Sequence, residues 1–259
     1  MNLNLTDKTA VVTGASRGIG LAAVRALTAE GVRVIGAART ITPELKETGA
    51  RTVSADLSTA EGVSTVIDTA LAELGGIDLL VNNVGGGDEA TASFLDADDD
   101  QWQRMFDINM LATVRATRAA LPSLIDRRGA IVNISSTLAR MPASAPATYT
   151  TAKAALTALG KALAEEFGPQ GLRVNTISPG LVRTTVYSDP NGPVATMATA
   201  AGQSLADFVQ QIAASQNITT GRMSEAAEVA ALITFLLSPV AGNITGADYV
   251  IDGGTIKTV

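Results

Sequence analysis

Short runs of consecutive apolar residues alternate along this chain with longer stretches whose apolar positions recur every three to four residues. Thr9-Ala10-Val11-Val12 is the first run. It is too short for a helix and is followed at once by glycines, so it reads as a buried strand. Residues 19–30 put Ile19, Ala23, Ala26 and Leu27 on one helical stripe, and Gly31 ends it. The alternation continues with strands at Val32-Arg33-Val34-Ile35 and Arg51-Thr52-Val53-Ser54, a helix over 62–74, and a strand at Ile77-Asp78-Leu79-Leu80-Val81. One long helix is expected over 101–125, then a strand over 130–134 and a helix over 148–167 closed by Gly168-Pro169. A strand over 172–177 stops at Pro179-Gly180, and a helix over 225–237 precedes the last strand, 248–251.

Strands alternating with crossover helices predict the α/β class: a doubly wound parallel sheet with helices on both faces and a ligand crevice beyond the carboxyl ends of the strands. No linker or fixed-period repeat interrupts the pattern, so a single domain over 1–259 is expected. Residues 185–221 break the rhythm, being rich in Ala, Thr, Gln and Asn, with Pro190 and Pro193 and no strand pattern. A segment of that kind is expected to be a substrate loop or lid.

Composition narrows the chemistry. The 259 residues include no histidine and no cysteine, which removes disulfides, thiolate metal sites and Ser-His-Asp catalysis; no metal is expected. A net charge of −6 argues against nucleic-acid or anionic-membrane surfaces. No apolar stretch approaches the roughly 20 residues of a membrane span, and Met1-Asn2-Leu3-Asn4-Leu5 lacks the pattern of a signal peptide. A soluble, cytoplasmic protein is the expectation.

With histidine and cysteine absent, acid–base chemistry falls to Tyr, Lys, Asp or Glu. Tyr149 and Lys153, four apart, share one helical face, where an ammonium can stabilise a phenolate; Ser136 lies thirteen positions upstream. Between the first strand and first helix stands Thr13-Gly14-Ala15-Ser16-Arg17-Gly18-Ile19-Gly20. Its glycines permit a tight turn and close approach, and the helix start offers N–H groups and partial positive charge to a pyrophosphate. The second strand ends at Ala38-Arg39, without the acid that accepts from an NAD ribose; Arg39, with Arg17 nearby, suits a 2′-phosphate, so NADP is preferred over NAD. Asp56-Leu57 follows the third strand, where the acid serves either an adenine edge or a turn. Asn82-Asn83-Val84-Gly85-Gly86 ends the fourth strand, and Asn109 sits mid-helix, where Asn needs a hydrogen-bonding reason.

With these motifs in this order, and Pro179-Gly180 after them, the chain resembles the short-chain dehydrogenase/reductase family over nearly its whole length. The likeness is strongest to the branch of 3-oxoacyl-[acyl-carrier-protein] reductases and related carbonyl reductases. The resemblance implies a Rossmann-type fold and interconversion of a small-molecule ketone and secondary alcohol by hydride transfer. It gives Ser136 the substrate oxygen and Tyr149 the proton. Lys153 would lower the Tyr149 pKa and hold the nicotinamide ribose, and Asn109 would support a water beside Lys153. Gly14, Ser16, Arg17, Gly18, Ile19, Gly20, Arg39, Asp56, Leu57, Asn83, Val84 and Gly85 would bind the adenosine and pyrophosphate; Pro179, Gly180, Val182 and Thr184 would seat the nicotinamide. It also implies a homo-oligomer, dimer or tetramer, joined through the helices over 101–125 and 148–167. Val84 departs from the family's usual alanine, and Gln170 stands where the carrier-protein branch has arginine, leaving Arg127 and Arg128 as its candidate docking cations. Two alternatives remain open: an NAD-dependent alcohol dehydrogenase of the same family, and a non-catalytic nucleotide-binding regulator.

Overall fold

The computed structural model describes residues 2–86, 93–142 and 145–258. Its first half runs β1 (Thr9–Thr13), α1 (Gly18–Ala29), β2 (Arg33–Ala38), α2 (Pro43–Lys46), β3 (Arg51–Ser54), α3 (Ala60–Leu74) and β4 (Leu79–Asn82). After α4 (Asp99–Phe106) and α5 (Ala112–Asp126) come β5 (Ala130–Ile134), α6 (Ala147–Phe167), β6 (Arg173–Pro179) and β7 (Val182–Arg183). Three helices, α7 (Thr185–Ser188), α8 (Pro193–Ala200) and α9 (Leu205–Ser215), precede β8 (Ser224–Glu225), α10 (Ala226–Leu237) and β9 (Asp248–Ile251).

Seven strands form one sheet in the order β3-β2-β1-β4-β5-β6-β9, every adjacent pair parallel. Strand order reverses direction between β1 and β4, so a crevice opens there above the carboxyl ends. The continuous apolar runs are explained by helices on both faces. Val12, Val81 and Val132 point to the side of α1 and α10, packing with Val24, Leu27 and Ile233. Their neighbours Val11, Leu80 and Ile131 point the other way, onto Val66, Ile67 and Leu124 of α3 and α5. Truncating a fully buried side chain such as Leu80 to alanine would cost about 2–5 kcal/mol.

One expectation needs correction. The helix expected over 101–125 is interrupted: α4 and α5 are joined by a π-helical turn, Asp107–Leu111. The Asn109 amide donates to the Met105 carbonyl at 3.0 Å, satisfying an acceptor within the widened turn, and also to the Gly86 carbonyl at 2.9 Å. Over 185–221 the chain is largely helical. Its helices close on an apolar cluster of Val194, Val209 and Met223 with Tyr187, Leu205, Phe208 and Ile212, and the short β7–β8 pair ties the segment's ends together.

Candidate active site

A cleft of about 970 Å³ occupies the crevice at the strand ends. Its floor is built by the loops after β1 and β4, which are hydrogen-bonded to each other. Thr13 Oγ1 accepts from the backbone N–H groups of Asn83 (2.9 Å) and Val84 (3.1 Å). In return the Asn83 amide donates to the carbonyls of Thr13 and Gly14, at 2.9 and 3.0 Å. Gly14 has φ +66°, and a Cβ there would lie 2.9 Å from Val84 Cα. The glycine is therefore required by both conformation and contact. Deeper down, the Asn82 amide donates to Asn133 Oδ1 at 2.9 Å, joining β4 to β5.

At one end of the cleft stands the N-terminus of α1. Helices α2, α3, α4 and α9 are capped by the side chains of Thr42, Thr59, Asp98 and Ser204, whereas α1 has no side-chain cap and no acid in its first turn. Uncapped N–H groups and the helix dipole there suit a pyrophosphate. Arg17 and Arg39 are both exposed along this end, beside the buried Ala38 that closes β2. The donor set thus fits a dinucleotide, and the corner formed by Arg17 and Arg39 fits a phosphate.

At the other end β5 releases two serines. Ser135 turns its hydroxyl to α6, donating to the Lys153 carbonyl at 3.0 Å and pairing with Thr157 at 2.7 Å. This fixes the register of α6 against the strand. Ser136 faces the cleft and hydrogen-bonds the Tyr149 side chain. One turn on, Lys153 Nζ lies 5.8 Å from the centre of the Tyr149 ring and donates to the Ile134 carbonyl at 3.0 Å. A Cβ on Gly85 would come within 2.8 Å of Asn109 Oδ1 and 3.0 Å of Lys153 Nζ, so the loop after β4 passes directly over both.

Burial governs the two titrating groups. Lys153 is only 3% exposed, and desolvation pulls its ammonium down from 10.5 to about 8. Tyr149 is pushed up by burial, with the Ser136 hydrogen bond opposing and the nearby Tyr187 adding to the rise. This direction is opposite to the one the Tyr–Lys spacing implied.

Of the expected nucleotide-binding residues, Gly14, Ser16, Arg17, Gly18, Ile19, Arg39, Leu57, Asn83, Val84, Gly85, Tyr149, Lys153, Pro179, Gly180, Val182 and Thr184 line the cleft. Three expected residues do not. Gly20 packs against the Gly14 carbonyl, 2.1 Å from where a Cβ would sit, so its role is to let α1 approach the loop. Asp56 makes a turn, accepting from Ser58 N–H and Oγ–H at 3.0 and 2.8 Å. Those bonds, against a small burial effect and with help from Arg39, hold its carboxyl below the usual range. Asn109 lies beneath the cleft floor, fully buried, with Gly86 N–H donating to its Oδ1 at 3.1 Å. Thr40, Thr42 and Ile108 also line the cleft and were not anticipated.

Arg127 and Arg128 are not docking cations at the mouth. Arg127 donates to the Gly75 carbonyl at 2.7 Å and lies 3.5 Å from Asp78, at the amino ends of β4 and β5 and thus the edge remote from the cleft.

A family model described as enoyl-(acyl carrier protein) reductase matches residues 14–255. The chain is 33% identical to a 3-alpha-(or 20-beta)-hydroxysteroid dehydrogenase of Mycobacterium tuberculosis over 99% of this chain and 92% of that protein. It is 31% identical to the 3-oxoacyl-[acyl-carrier-protein] reductase FabG of Vibrio harveyi over 97% and 98%. The structure of L-sorbose reductase from Gluconobacter frateurii, complexed with NADPH and L-sorbose, superposes with a TM-score of 0.92 at 32% identity, covering both chains completely. Fold, cleft and relatives define an oxidoreductase acting on CH–OH groups with a nicotinamide cofactor. The chain belongs to the short-chain dehydrogenase/reductase family. Among the described residues no helix is long and apolar enough to cross a membrane.

Proposed function

We propose that this protein is one catalytic unit that reduces ketones to secondary alcohols with NADPH, and runs the reverse oxidation, using Tyr149 as proton donor and acceptor. The observation that carries the reading is the meeting of Ser136, Tyr149 and the buried Lys153 at one end of a nucleotide-sized cleft.

When bound, the nicotinamide supplies or accepts the hydride. The protein's own contribution is orientation and proton management. A phenol held above its ordinary value is protonated at neutral pH, the state needed to give a proton to a ketone oxygen. Ser136, already bonded to that phenol, holds the same substrate oxygen. Lys153, charged below about pH 8, stabilises the phenolate left after transfer and is available to ribose hydroxyls. Asn109 fixes the Gly85-Gly86 backbone over Lys153 and supports a water beside it.

NADP over NAD is supported by the absence of a carboxylate at Ala38 and by Arg17 and Arg39 at the cleft's adenosine end. The NADPH in the L-sorbose reductase structure agrees with it. The substrate is a small neutral carbonyl compound, and the position of Arg127 at the edge remote from the cleft weighs against its serving carrier-protein docking. We further propose a soluble, cytoplasmic homodimer or homotetramer assembled through the alanine-rich α4–α5 and α6 helices. The test is consumption of NADPH and of NADH with a panel of ketones, quinones and acyl thioesters. Turnover of neutral ketones with NADPH favoured is expected; turnover confined to acyl thioesters, or an NADH preference, would overturn it.

A further inference from the structure

Tyr187 lines the same cleft as Tyr149 and has no place in the proton chemistry above. It is set there by local structure: its backbone N–H bonds the Thr184 carbonyl at 3.0 Å, at the start of α7. Its ring packs into the apolar cluster with Val194, Val209 and Met223, which anchors the side chain from behind. The residue lines the cleft, and its phenol is near enough for the two phenols to repel if both ionise. Among the described residues nothing hydrogen-bonds the Tyr187 hydroxyl; burial alone acts on it, keeping it protonated at neutral pH.

Several other polar side chains at this end are already engaged. Ser135 is turned to α6, Ser136 and Tyr149 bond each other, and Lys153 donates to Ile134. Val84, Ile108 and Val186 give the walls apolar surface, the neighbouring Thr184 and Thr185 also line the cleft, and the charged groups among the described lining residues are Arg17, Arg39 and Lys153. A phenol that lines this cleft, is anchored through its ring and has no hydrogen-bond partner among the described residues suits a neutral oxygen. An entirely apolar substrate would leave it desolvated and unpaired.

Resting on the reading of this cleft as a ketone-reducing site, we propose that Tyr187 is a specificity-determining residue that hydrogen-bonds a second, uncharged oxygen of the substrate. The preferred substrates are therefore ketones carrying a hydroxyl or carbonyl close to the reacting carbonyl, and the corresponding diols or hydroxyketones in reverse. A site built around a substrate hydroxyl discriminates strongly against the analogue that lacks it, because its own polar group is then stranded.

The experiment compares cyclohexanone with 2-hydroxycyclohexanone as NADPH-consuming substrates of the wild type and of Tyr187→Phe. The substitution keeps the ring in its apolar cluster, so melting temperature and NADPH affinity are expected to stay unchanged. For the hydroxyketone, kcat/KM is expected to fall about ten- to hundredfold, chiefly through KM, while cyclohexanone changes by no more than about twofold. Equal effects on the two ketones, or no preference for the hydroxyketone in the wild type, would overturn the proposal and leave the ketone-reductase reading standing. A wild type that uses neither ketone with either cofactor counts against both.

Discussion

Lys153 is held under the Tyr149 ring by the Ile134 carbonyl, which accepts from its Nζ at 3.0 Å while the ring centre lies 5.8 Å away. The strand end that positions Ser136 therefore positions the cation too. Placing a cation in so buried a site has a folding cost, and that cost is testable.

With a folded value of about 8 against an ordinary 10.5, Lys153 binds its proton more weakly in the native state. Stability contributed at this position rises with pH between those values; below about 8 the lysine is charged in both states and the penalty is complete. Lys153→Met removes the penalty, worth at most about 3 kcal/mol by the size of the shift and reduced by the lost bond to Ile134. The variant should melt at pH 7 no lower than the wild type, lose the upward slope between pH 8 and 10.5, and be inactive. A large drop in melting temperature with the slope retained would argue against this account of Lys153.

Gly85 is confined by Asn109 and Lys153 rather than by backbone. An added methyl would meet Asn109 Oδ1 at 2.8 Å and Lys153 Nζ at 3.0 Å, displacing the two side chains assigned to the proton path. Gly85→Ala is expected to lower kcat at least about tenfold while costing only about 1–2 kcal/mol of stability. Kinetics and thermal melting on one preparation separate the effects, and unchanged kcat would contradict the close approach.

Cofactor choice is tested at the end of β2. Ala38→Asp with Arg39→Ser installs a ribose acceptor and removes a phosphate donor, and should shift the kcat/KM ratio toward NADH by about a hundredfold or more. A ratio that stays within about twofold of wild type would mean that another group, such as Arg17, sets the preference.

The parallel sheet was legible because strands buried on both faces have uninterrupted apolar runs, as in β1 and β5, and turns with glycine mark their carboxyl ends. Tyr149, Lys153 and Ser136 were legible because four-residue spacing and a strand end fix their placement. The π turn was legible only as an oddity at Asn109, since one inserted residue hardly disturbs the apolar stripe on either side. The individual helices over 185–221 were not placed because Ala, Thr and Gln give little amphipathic contrast; Ser204, which caps α9 by accepting from Asp207 N–H at 3.1 Å, was the available signal. Arg127 and Arg128 could have been placed from sequence. Residues just before a parallel strand lie at its amino edge, away from the crevice. The Tyr149 shift was out of reach, because it depends on burial, and spacing reports only proximity.

The central claim is that the Tyr149 hydroxyl transfers the proton in a cleft that otherwise binds nucleotide. Its most direct test is Tyr149→Phe, measured for NADPH binding by fluorescence and for NADPH consumption with a turned-over ketone. The account predicts a loss in kcat of at least about a thousandfold with NADPH affinity changed no more than a few-fold. Near-wild-type turnover in the phenylalanine variant would contradict it.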